Sequence, residues 1–419
     1  MLSKENNELL TQIGPHTPMG NLLRRYWHPI AGVSEFETER VKAIRLFGED
    51  LVLYRDISGK FGLIDRHCPH RRADLSYGFV EHNGLRCGYH GWTVNELGRI
   101  VAIPYDDIVK PHAKTKKLCR AIAYPVREFA GMLWTYMGTE PAPELPVWEP
   151  FTRANGFVEV VFSHVPCNWL QCQENSIDPV HFEWLHENLP SKLAGTNKPY
   201  AARHLRVAFE EFEYGITYRR LREGMMESDQ LWTIGRVCLW PNAFCLGDHI
   251  EWRVPIDDEN MLSVSWFYTR VPVEREPYVQ VRIPSWHSPI RDSNGQWITS
   301  HVINQDILGW VGQGRIADRT KEMLGASDKG IGMLRRRFFR DLKAVAEGRD
   351  PSGLIRDPHQ ARLVALPSAN AQYYGPMTME EWLKHPFVGR RAHGNPWVAG
   401  QPEEVRQEFL KAMGLPDRV

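Results

Sequence analysis

The stretch HCPHRRADLSYGFVEHNGLRCGYHGW, residues 67–92, decides the fold of the N-terminal part of the chain. It contains two short arms, Cys68-Pro69-His70 and Cys87-Gly88-Tyr89-His90, and each arm offers one thiolate and one imidazole. Structural zinc usually takes pairs of the same ligand, such as C-x2-C or H-x3-5-H. Mixed arms suit a two-iron cluster, in which one iron takes both sulfurs and the other takes both imidazoles. A zinc site, or unconnected Cys and His residues, is the alternative.

The first prediction is therefore a Rieske-type [2Fe–2S] cluster with Cys68, His70, Cys87 and His90 as ligands. Two neutral imidazoles in place of two thiolates make the cluster less negative and raise its reduction potential. Such a cluster serves as an electron relay. A chain with this cluster alone would be an electron-transfer protein, and that class is a competing hypothesis.

A second group of ligands is predicted in CNWLQCQENSIDPVHFEWLHENLP, residues 167–190. Two histidines and one carboxylate form the facial triad that binds mononuclear non-haem Fe(II). His181 and His186 are five residues apart, so a regular helix would turn them roughly 140° away from each other. A widened π-type turn would bring them together, and Pro179 already disfavours a regular helix there.

The segment 67–92 resembles the Rieske signature of the α subunits of ring-hydroxylating oxygenases, and 167–190 resembles their motif E-N-x2-D-x2-H-x4-H. Three further stretches are similar to the phthalate-dioxygenase-like branch of that family: IGPHTPMGNLLRRYWHP (13–29), WRVPIDDEN (252–260) and residues 304–338. The resemblance covers nearly the whole chain.

The resemblance implies an α+β protein. An all-β Rieske domain is expected at 31–140, followed by a catalytic iron domain at 141–419 with a curved antiparallel sheet and helices of the helix-grip type. Residues 1–30 are expected to form a helix that packs on the catalytic domain. The pattern itself predicts a hairpin turn at 57–60 and helix over 304–346.

The resemblance also supplies the third iron ligand, Asp306 in VINQDILGW, which would hold Fe(2+) together with His181 and His186. Other acids lie nearby in the sequence and compete for the role, namely Asp318, Glu322 and Asp328.

In the resembled family, the aspartate at the position of Asp178 hydrogen-bonds an iron histidine of its own subunit and a Rieske histidine of the next. Here the bridge would join His181 to His90 of a neighbouring copy, which implies a head-to-tail ring, a homotrimer or stacked trimers. Asn175 is expected to orient the open iron site, with helix capping or simple solvation as equal alternatives.

The implied function is the terminal oxygenase component of an aromatic ring-hydroxylating dioxygenase acting on an aromatic carboxylate. O2 and electrons from a separate NAD(P)H-dependent flavin/[2Fe–2S] reductase would be consumed. The alternative is a monooxygenase that demethylates a methoxylated aromatic acid. A substrate carboxylate needs a cation, so Arg203 and Arg206 are the candidate substrate residues, with Arg219 and Arg220 on the neighbouring strand as further candidates.

Composition narrows the other possibilities. The chain has 419 residues with 51 Lys+Arg against 51 Asp+Glu, so no basic field predicts binding to nucleic acid or to an anionic membrane. No apolar run approaches the roughly 20 residues of a membrane helix, and the charged N-terminus lacks a signal-peptide pattern. Seven cysteines are too few for a disulfide scaffold. A cytoplasmic location is the expectation.

Overall fold

Small antiparallel sheets build the N-terminal part of the protein. The computed structural model describes residues 1–369, 374–386 and 388–416. The strands of the N-terminal part are β1 (Trp27–Gly32), β2 (Val41–Leu46), β3 (Glu49–Arg55), β4 (Phe61–Asp65), β5 (Phe79–Glu81), β6 (Gly84–Arg86), β7 (Thr93–Val94), β8 (Ile100–Ala102), β9 (Ala123–Tyr124), β10 (Val126–Phe129) and β11 (Met132–Tyr136). They pair in the orders β1-β11-β10, β2-β3-β4-β9 and β5-β6-β7-β8. The first strand begins at Trp27, before the predicted domain boundary at residue 31.

The predicted hairpin turn at 57–60 is confirmed between β3 and β4. The Asp56 carboxylate accepts hydrogen bonds from the Lys60 amide at 2.9 Å and from the Ser58 hydroxyl at 2.7 Å. Gly59 has φ +93°, a conformation that costs a residue with a side chain. The turn therefore fixes the register of the strand that leads into the first metal-binding arm.

One large sheet forms the scaffold of the second part. Its strands are β12 (Gly156–Val165), β13 (His204–Phe212), β14 (Gly215–Arg222), β15 (Arg236–Leu239), β16 (Ala243–Cys245), β17 (His249–Asp257), β18 (Asn260–Arg270) and β19 (Ser285–His287). The order is β13-β14-β15-β16-β17-β18-β12-β19, and the neighbours are antiparallel except for the parallel pair β12–β19. The α+β class is confirmed, with one parallel pair added to the expected antiparallel sheet.

Helices surround the sheets, and those of the second part of the chain carry much of the second ligand group. They are α1 (Lys4–Thr11), α2 (Pro18–Leu23), α3 (Pro104–Val109), α4 (Thr115–Leu118), α5 (Trp169–Asn175), α6 (Leu189–Leu193), α7 (Gln230–Thr233), α8 (Val302–Val311), α9 (Lys329–Ala346), α10 (Pro358–Ala361), α11 (Met379–Lys384) and α12 (Glu403–Met413), with a π-helix at Phe182–Asn188 and short 3₁₀ turns such as Gly389–His393. The N-terminal α1 contacts α5, and α2 contacts α9. None of the helices among the described residues is long and apolar enough to cross a bilayer.

The prediction of helix over 304–346 is confirmed for its two ends and needs correction for the middle. The chain forms α8 and α9, joined by a connection at 312–328 that is irregular apart from a short 3₁₀ turn at Ala326–Asp328. Gly314 in this connection has φ +91°, which no helix accommodates. The break matters for the site, because it lets α8 lie against α5 and the π-helix while α9 packs on α2, β13 and β14.

A buried histidine lies where the small sheets meet the large one. His28 on β1 has no exposed surface, and its Nε2 lies 2.8 Å from the carbonyl oxygen of Leu23. Asn242 donates to its Nδ1 at 3.4 Å. Burial lowers the pKa of His28 from 6.5 to about 4. The ring is therefore neutral in the folded protein at neutral pH.

This burial predicts a loss of stability in mild acid. Between pH 4 and 6.5 the unfolded chain binds a proton at His28, whereas the folded chain keeps this histidine neutral. The contribution of His28 to the free energy of unfolding therefore rises with pH across this window and reaches its full value above it. When the pH is lowered from 7 to 5, protonation of His28 in the unfolded chain should lower the free energy of unfolding by about 2 kcal/mol. Urea unfolding of wild type and His28→Gln at both pH values measures the difference. An equal pH dependence in both proteins contradicts the prediction.

Candidate metal centres and active site

The two arms predicted to bind an iron–sulfur cluster lie on neighbouring loops. Cys68 and His70 follow β4, and Cys87 and His90 follow β6. Both cysteines are buried and both histidines are exposed. The rings of His70 and His90 lie 4.7 Å apart between centroids. The four side chains thus divide into a buried pair of thiols and an exposed pair of imidazoles.

The surroundings of these four side chains fit a cluster. Burial, with a smaller contribution from Cys87, raises the pKa of the Cys68 thiol to about 11, against the opposing effect of the His70 amide. A thiol with a raised pKa keeps its proton at neutral pH, so it becomes a thiolate ligand only when a metal cation lies beside it. The Tyr89 amide donates to the Cys87 sulfur at 3.5 Å, and the Trp92 ring stacks on His70 at 4.7 Å. The donor set fits a [2Fe–2S] group with sulfur on one iron and nitrogen on the other.

The second group of ligands converges on one point. Asp306 Oδ1 lies 3.5 Å from His181 Nε2 and 3.2 Å from His186 Nε2. The candidate ligand atoms of the three residues all lie within 4.8 Å of one another. Ligands held about 2.1 Å from one ion at right angles lie about 3 Å apart, so these separations fit a single ion. Two imidazoles and one carboxylate are the donor set of non-haem Fe(II).

The competing acids lie away from this point. Asp318 pairs with Lys321 at 2.9 Å, Glu322 pairs with Arg335, and Asp328 accepts from the Gly325 amide at 2.6 Å. Among the described residues, Asp306 is the acid grouped with the two histidines.

A π-helix brings the two histidines together, as their spacing predicted. His181 immediately precedes the π-helix Phe182–Asn188, which contains His186, and the two rings lie 5.2 Å apart between centroids. His186 Nδ1 lies 2.9 Å from the amide oxygen of Gln305, the neighbour of Asp306 on α8. This contact sets the imidazole orientation with Nε2 directed at the triad.

Glu183, which lies between His181 and His186 in the sequence, and Glu187, which follows His186, connect the π-helix to the large sheet. The Glu183 carboxylate accepts from the His204 amide at 2.7 Å and lies 2.9 Å from His204 Nδ1. Glu187 accepts from Arg222 on β14, including one bond of 2.9 Å. Sequence reasoning missed both acids and Gln305, because their partners lie far away along the chain.

Asp178 and Asn175 also lie beside the triad. One oxygen of Asp178 accepts from the Val180 amide at 2.8 Å, and the other lies 3.5 Å from His181 Nδ1. Burial opposes ionisation of Asp178, but His181 and the backbone amides more than offset it and lower the pKa. Asn175 donates to Asp306 at 3.3 Å, which favours the orienting role over helix capping.

The triad opens into a cavity of about 530 Å³ under the large sheet. Aromatic walls come from Phe182, Tyr218, Phe244 and Trp397. The cationic lining residues are Arg220, Arg222, Arg236, Arg253 and Arg390, with His249 beside the acids Asp248 and Glu251. A cavity of this size and lining suits an aromatic ligand that carries a negative charge.

Arg220 is the most unusual of these cations. Its side chain is 3% exposed, lies over the Phe182 ring at 4.2 Å, and has no hydrogen-bond partner at Nε or Nη1 among the described residues. Burial and the neighbouring Arg236 lower the pKa of Arg220 to about 9. An unpaired buried guanidinium is costly, and a carboxylate ligand supplies the missing partner.

The candidate substrate residues Arg203 and Arg206 need correction, because neither lines the cavity. Both are exposed near the start of the edge strand β13, where Arg203 pairs with Glu223 and Arg206 with Glu227. Alternation along β14 turns Arg219 away from the cavity and Arg220 into it. Of the four candidate arginines, Arg220 on β14 therefore lines the cavity, and Arg203, Arg206 and Arg219 do not.

Comparison with known proteins now identifies the family. Residues 26–113 match the model of the Rieske [2Fe–2S] domain, and residues 291–369 match a model described as LigXa C-terminal domain like. The chain is 58% identical over 419 residues to the 5,5'-dehydrodivanillate O-demethylase oxygenase subunit of Sphingobium sp., covering 99% of this chain and 98% of that protein. The chain belongs to the oxygenase subunits of Rieske-type oxygenases.

Other relatives of this Rieske oxygenase subunit support the phthalate-dioxygenase-like branch. The phthalate 4,5-dioxygenase oxygenase subunit of Pseudomonas putida is 32% identical, with 84% of this chain and 89% of that protein covered. The solved structure of Pseudomonas putida CBB5 NdmA shares the fold, with 19% identity, a TM-score of 0.57, and coverage of 80% of this chain and 96% of that one.

Family membership settles several predictions about this Rieske oxygenase subunit. It is an oxidoreductase whose cofactors are a [2Fe–2S] cluster and Fe(2+) at the catalytic site. As an oxygenase subunit it uses O2, and its electrons come from a partner protein. The competing hypotheses of a simple electron carrier and a structural zinc protein are thereby set aside.

Proposed function

We propose that the protein demethylates a methoxylated aromatic carboxylate, releasing a phenol and formaldehyde. The observation that carries the proposal is the shared cavity, in which the unpaired guanidinium of Arg220 and the triad of His181, His186 and Asp306 face one ligand space. The cation predicts an acid substrate, and the triad predicts oxygen chemistry beside it. The choice of demethylation over dihydroxylation rests on the 58% identical relative, whose name is that of an O-demethylase.

The chain's residues divide into two metal-binding sets under this proposal. Cys68 and Cys87 would hold one iron of the cluster, and His70 and His90 would hold the other. The second set, His181, His186 and Asp306, would hold a mononuclear ferrous ion. When bound, the cluster supplies electrons and the ferrous ion activates O2.

The overall reaction balances as a monooxygenation. One oxygen atom of O2 enters a C–H bond of the methoxy group, and the other leaves as water with two electrons from the reductase and two protons. The resulting hemiacetal breaks its C–O bond, so the ring keeps the phenolic oxygen and the carbon leaves as formaldehyde. The protein's task is to hold the methoxy carbon beside the triad and to keep bulk water out.

Arg220 orients the substrate in this scheme. A guanidinium binds a carboxylate through two parallel hydrogen bonds, and burial makes each bond stronger than it is in water. The aromatic walls formed by Phe182, Tyr218 and Phe244 then position the ring. Holding the acid end fixes which ring substituent reaches the triad.

The proposed assembly is a head-to-tail trimer in the cytoplasm. The Tyr89 ring lies 3.8 Å from the His90 ring between centroids and is 61% exposed, and Tyr77, whose carbonyl oxygen lies near Gly88 of the same arm, is 82% exposed. A cluster of large exposed apolar groups is typical of an interaction surface. A second copy that covers this surface would place His90 near its own Asp178, as the family resemblance implies.

Product identification tests the proposed reaction. The holoenzyme with a reductase and NADH should release one formaldehyde per O2 from 5,5'-dehydrodivanillate, because the methyl carbon leaves at the aldehyde oxidation level. Assays without reductase are the control, and phthalate serves as the comparison substrate. A cis-dihydrodiol from phthalate, with no formaldehyde from any methoxylated acid, contradicts demethylation and supports dioxygenation.

A further inference from the structure

A second pocket opens beside the catalytic cavity and shares one residue with it. This outer pocket measures about 300 Å³ and is lined in part by His301, Arg390, His393, Asn395, Gln401 and Arg406. Arg390 lines both spaces, so it lies where the catalytic cavity meets the outer pocket. Among the described residues, every charged or titratable group that lines the outer pocket is basic and no carboxylate contributes. The pocket therefore suits an anionic group.

Arg390 is free to bind such a group. Its exposed guanidinium has no ion pair, hydrogen bond or aromatic ring as partner among the residues that the structure describes. The next residue, Arg391, is buried and directed at Glu159 at 3.5 Å. Arg406, on the other side of the pocket, already pairs with Glu403 at 3.1 Å. Arg390 is therefore the arginine of the outer pocket whose guanidinium can donate two parallel hydrogen bonds to a ligand.

The outer pocket is also connected to the metal triad through α8. His301 immediately precedes α8, Val302 and Ile303 on its first turn line the catalytic cavity, and Asp306 on its second turn belongs to the triad. His301 Nδ1 lies 2.9 Å from the Ser300 hydroxyl. A ligand that extends from the triad toward Arg390 would therefore pass along the start of α8.

We propose that the outer pocket holds a second carboxylate of the substrate, so that the protein takes an elongated dianion with Arg220 at its inner end and Arg390 at its outer end. The combined space exceeds what one ring fills and falls in the range of cavities that bury larger organic ligands. This inference rests on the proposed function for the position of the methoxy group. It concerns binding, and it can fail while demethylation stands.

Ligand truncation combined with mutation tests the outer subsite. Dissociation constants are measured anaerobically by tryptophan fluorescence on the holoenzyme, with 5,5'-dehydrodivanillate as a ligand with two carboxylates and vanillate as a ligand with one. The wild type should prefer the dianion. Arg390→Gln should reduce that preference about tenfold, because one charge-assisted pair is lost only for the dianion. Arg390→Lys should recover part of it.

Two matched variants separate the subsite from general effects of charge. Arg220→Gln should weaken both ligands, because both place a carboxylate at the inner end. Arg362→Gln removes an exposed charge that lines neither pocket, so the preference should stay at its wild-type value. Since binding is read without turnover, failure of demethylation does not alter this result.

The proposal fails if wild type binds the two ligands equally well. It also fails if Arg390→Gln weakens both ligands in the same proportion, or if Arg362→Gln lowers the preference as much as Arg390→Gln does. Formaldehyde release from vanillate at the same kcat/KM as from the dianion would keep the proposed reaction and overturn the elongated substrate.

Discussion

Replacing Asp306 by alanine is expected to remove the mononuclear iron and abolish turnover while the iron–sulfur cluster stays in place. The change deletes the only anionic ligand of the triad and leaves two imidazoles. It also deprives Asn175 of the oxygen it contacts at 3.3 Å. Loss of the metal's contribution, worth several kcal/mol, should lower turnover at least about 1,000-fold.

Iron analysis and spectroscopy measure this effect separately from folding. The iron content should fall from about three to about two per chain, since a two-iron cluster and one ferrous ion are expected in the family. Visible absorption of the cluster should persist. Asp318→Ala is the matched control, because Asp318 is an exposed acid twelve positions later that pairs with Lys321. Full iron content in Asp306→Ala, or loss of iron in Asp318→Ala, would show that the assignment of Asp306 as the third ligand is wrong.

The four ligands of the two metal-binding arms can be proposed from the sequence because the two residues of each arm are close together along the chain. Cys68 and His70 are separated by one residue, and Cys87 and His90 by two, so spacing alone constrains the geometry. The third iron ligand is different. Asp306 reaches the histidines only because α8 packs against α5 and the π-helix, and no periodicity distinguishes it from Asp318. Only the family resemblance selected it.

The surroundings of the site show where sequence reasoning stops. The spacing of His181 and His186 demanded a widened turn, but the contacts of Glu183 and Glu187 that tie it to the sheet join residues far apart in sequence. Likewise, the pattern of a strand shows that its side chains alternate between the two faces of the sheet, but it does not show which face lines the cavity. For this reason the sequence does not show that Arg220 lines the cavity while the candidates near the edge strand β13 do not.

Replacing Asp178 by alanine is expected to leave both metal centres loaded but to cut turnover about 100-fold or more. Asp178 contributes no candidate ligand atom to the triad, so iron content should stay near three per chain. Its carboxylate lies 3.5 Å from His181 Nδ1, and that nitrogen has no hydrogen-bond partner among the described residues. Without the acid, the imidazole loses the group that fixes its proton and orientation.

Conservative variants distinguish this role from simple packing. Asp178→Asn keeps the shape but removes the negative charge, and Asp178→Glu keeps the charge at a longer reach. If the charge orients His181 and links it to the neighbouring subunit's cluster, the glutamate variant should recover part of the turnover and the asparagine variant little. Rates of product formation in one turnover, with iron content and absorption as controls, report the effect. Full activity in Asp178→Ala would exclude both the orienting role and the proposed link between subunits, because no other described acceptor is available to His181 Nδ1.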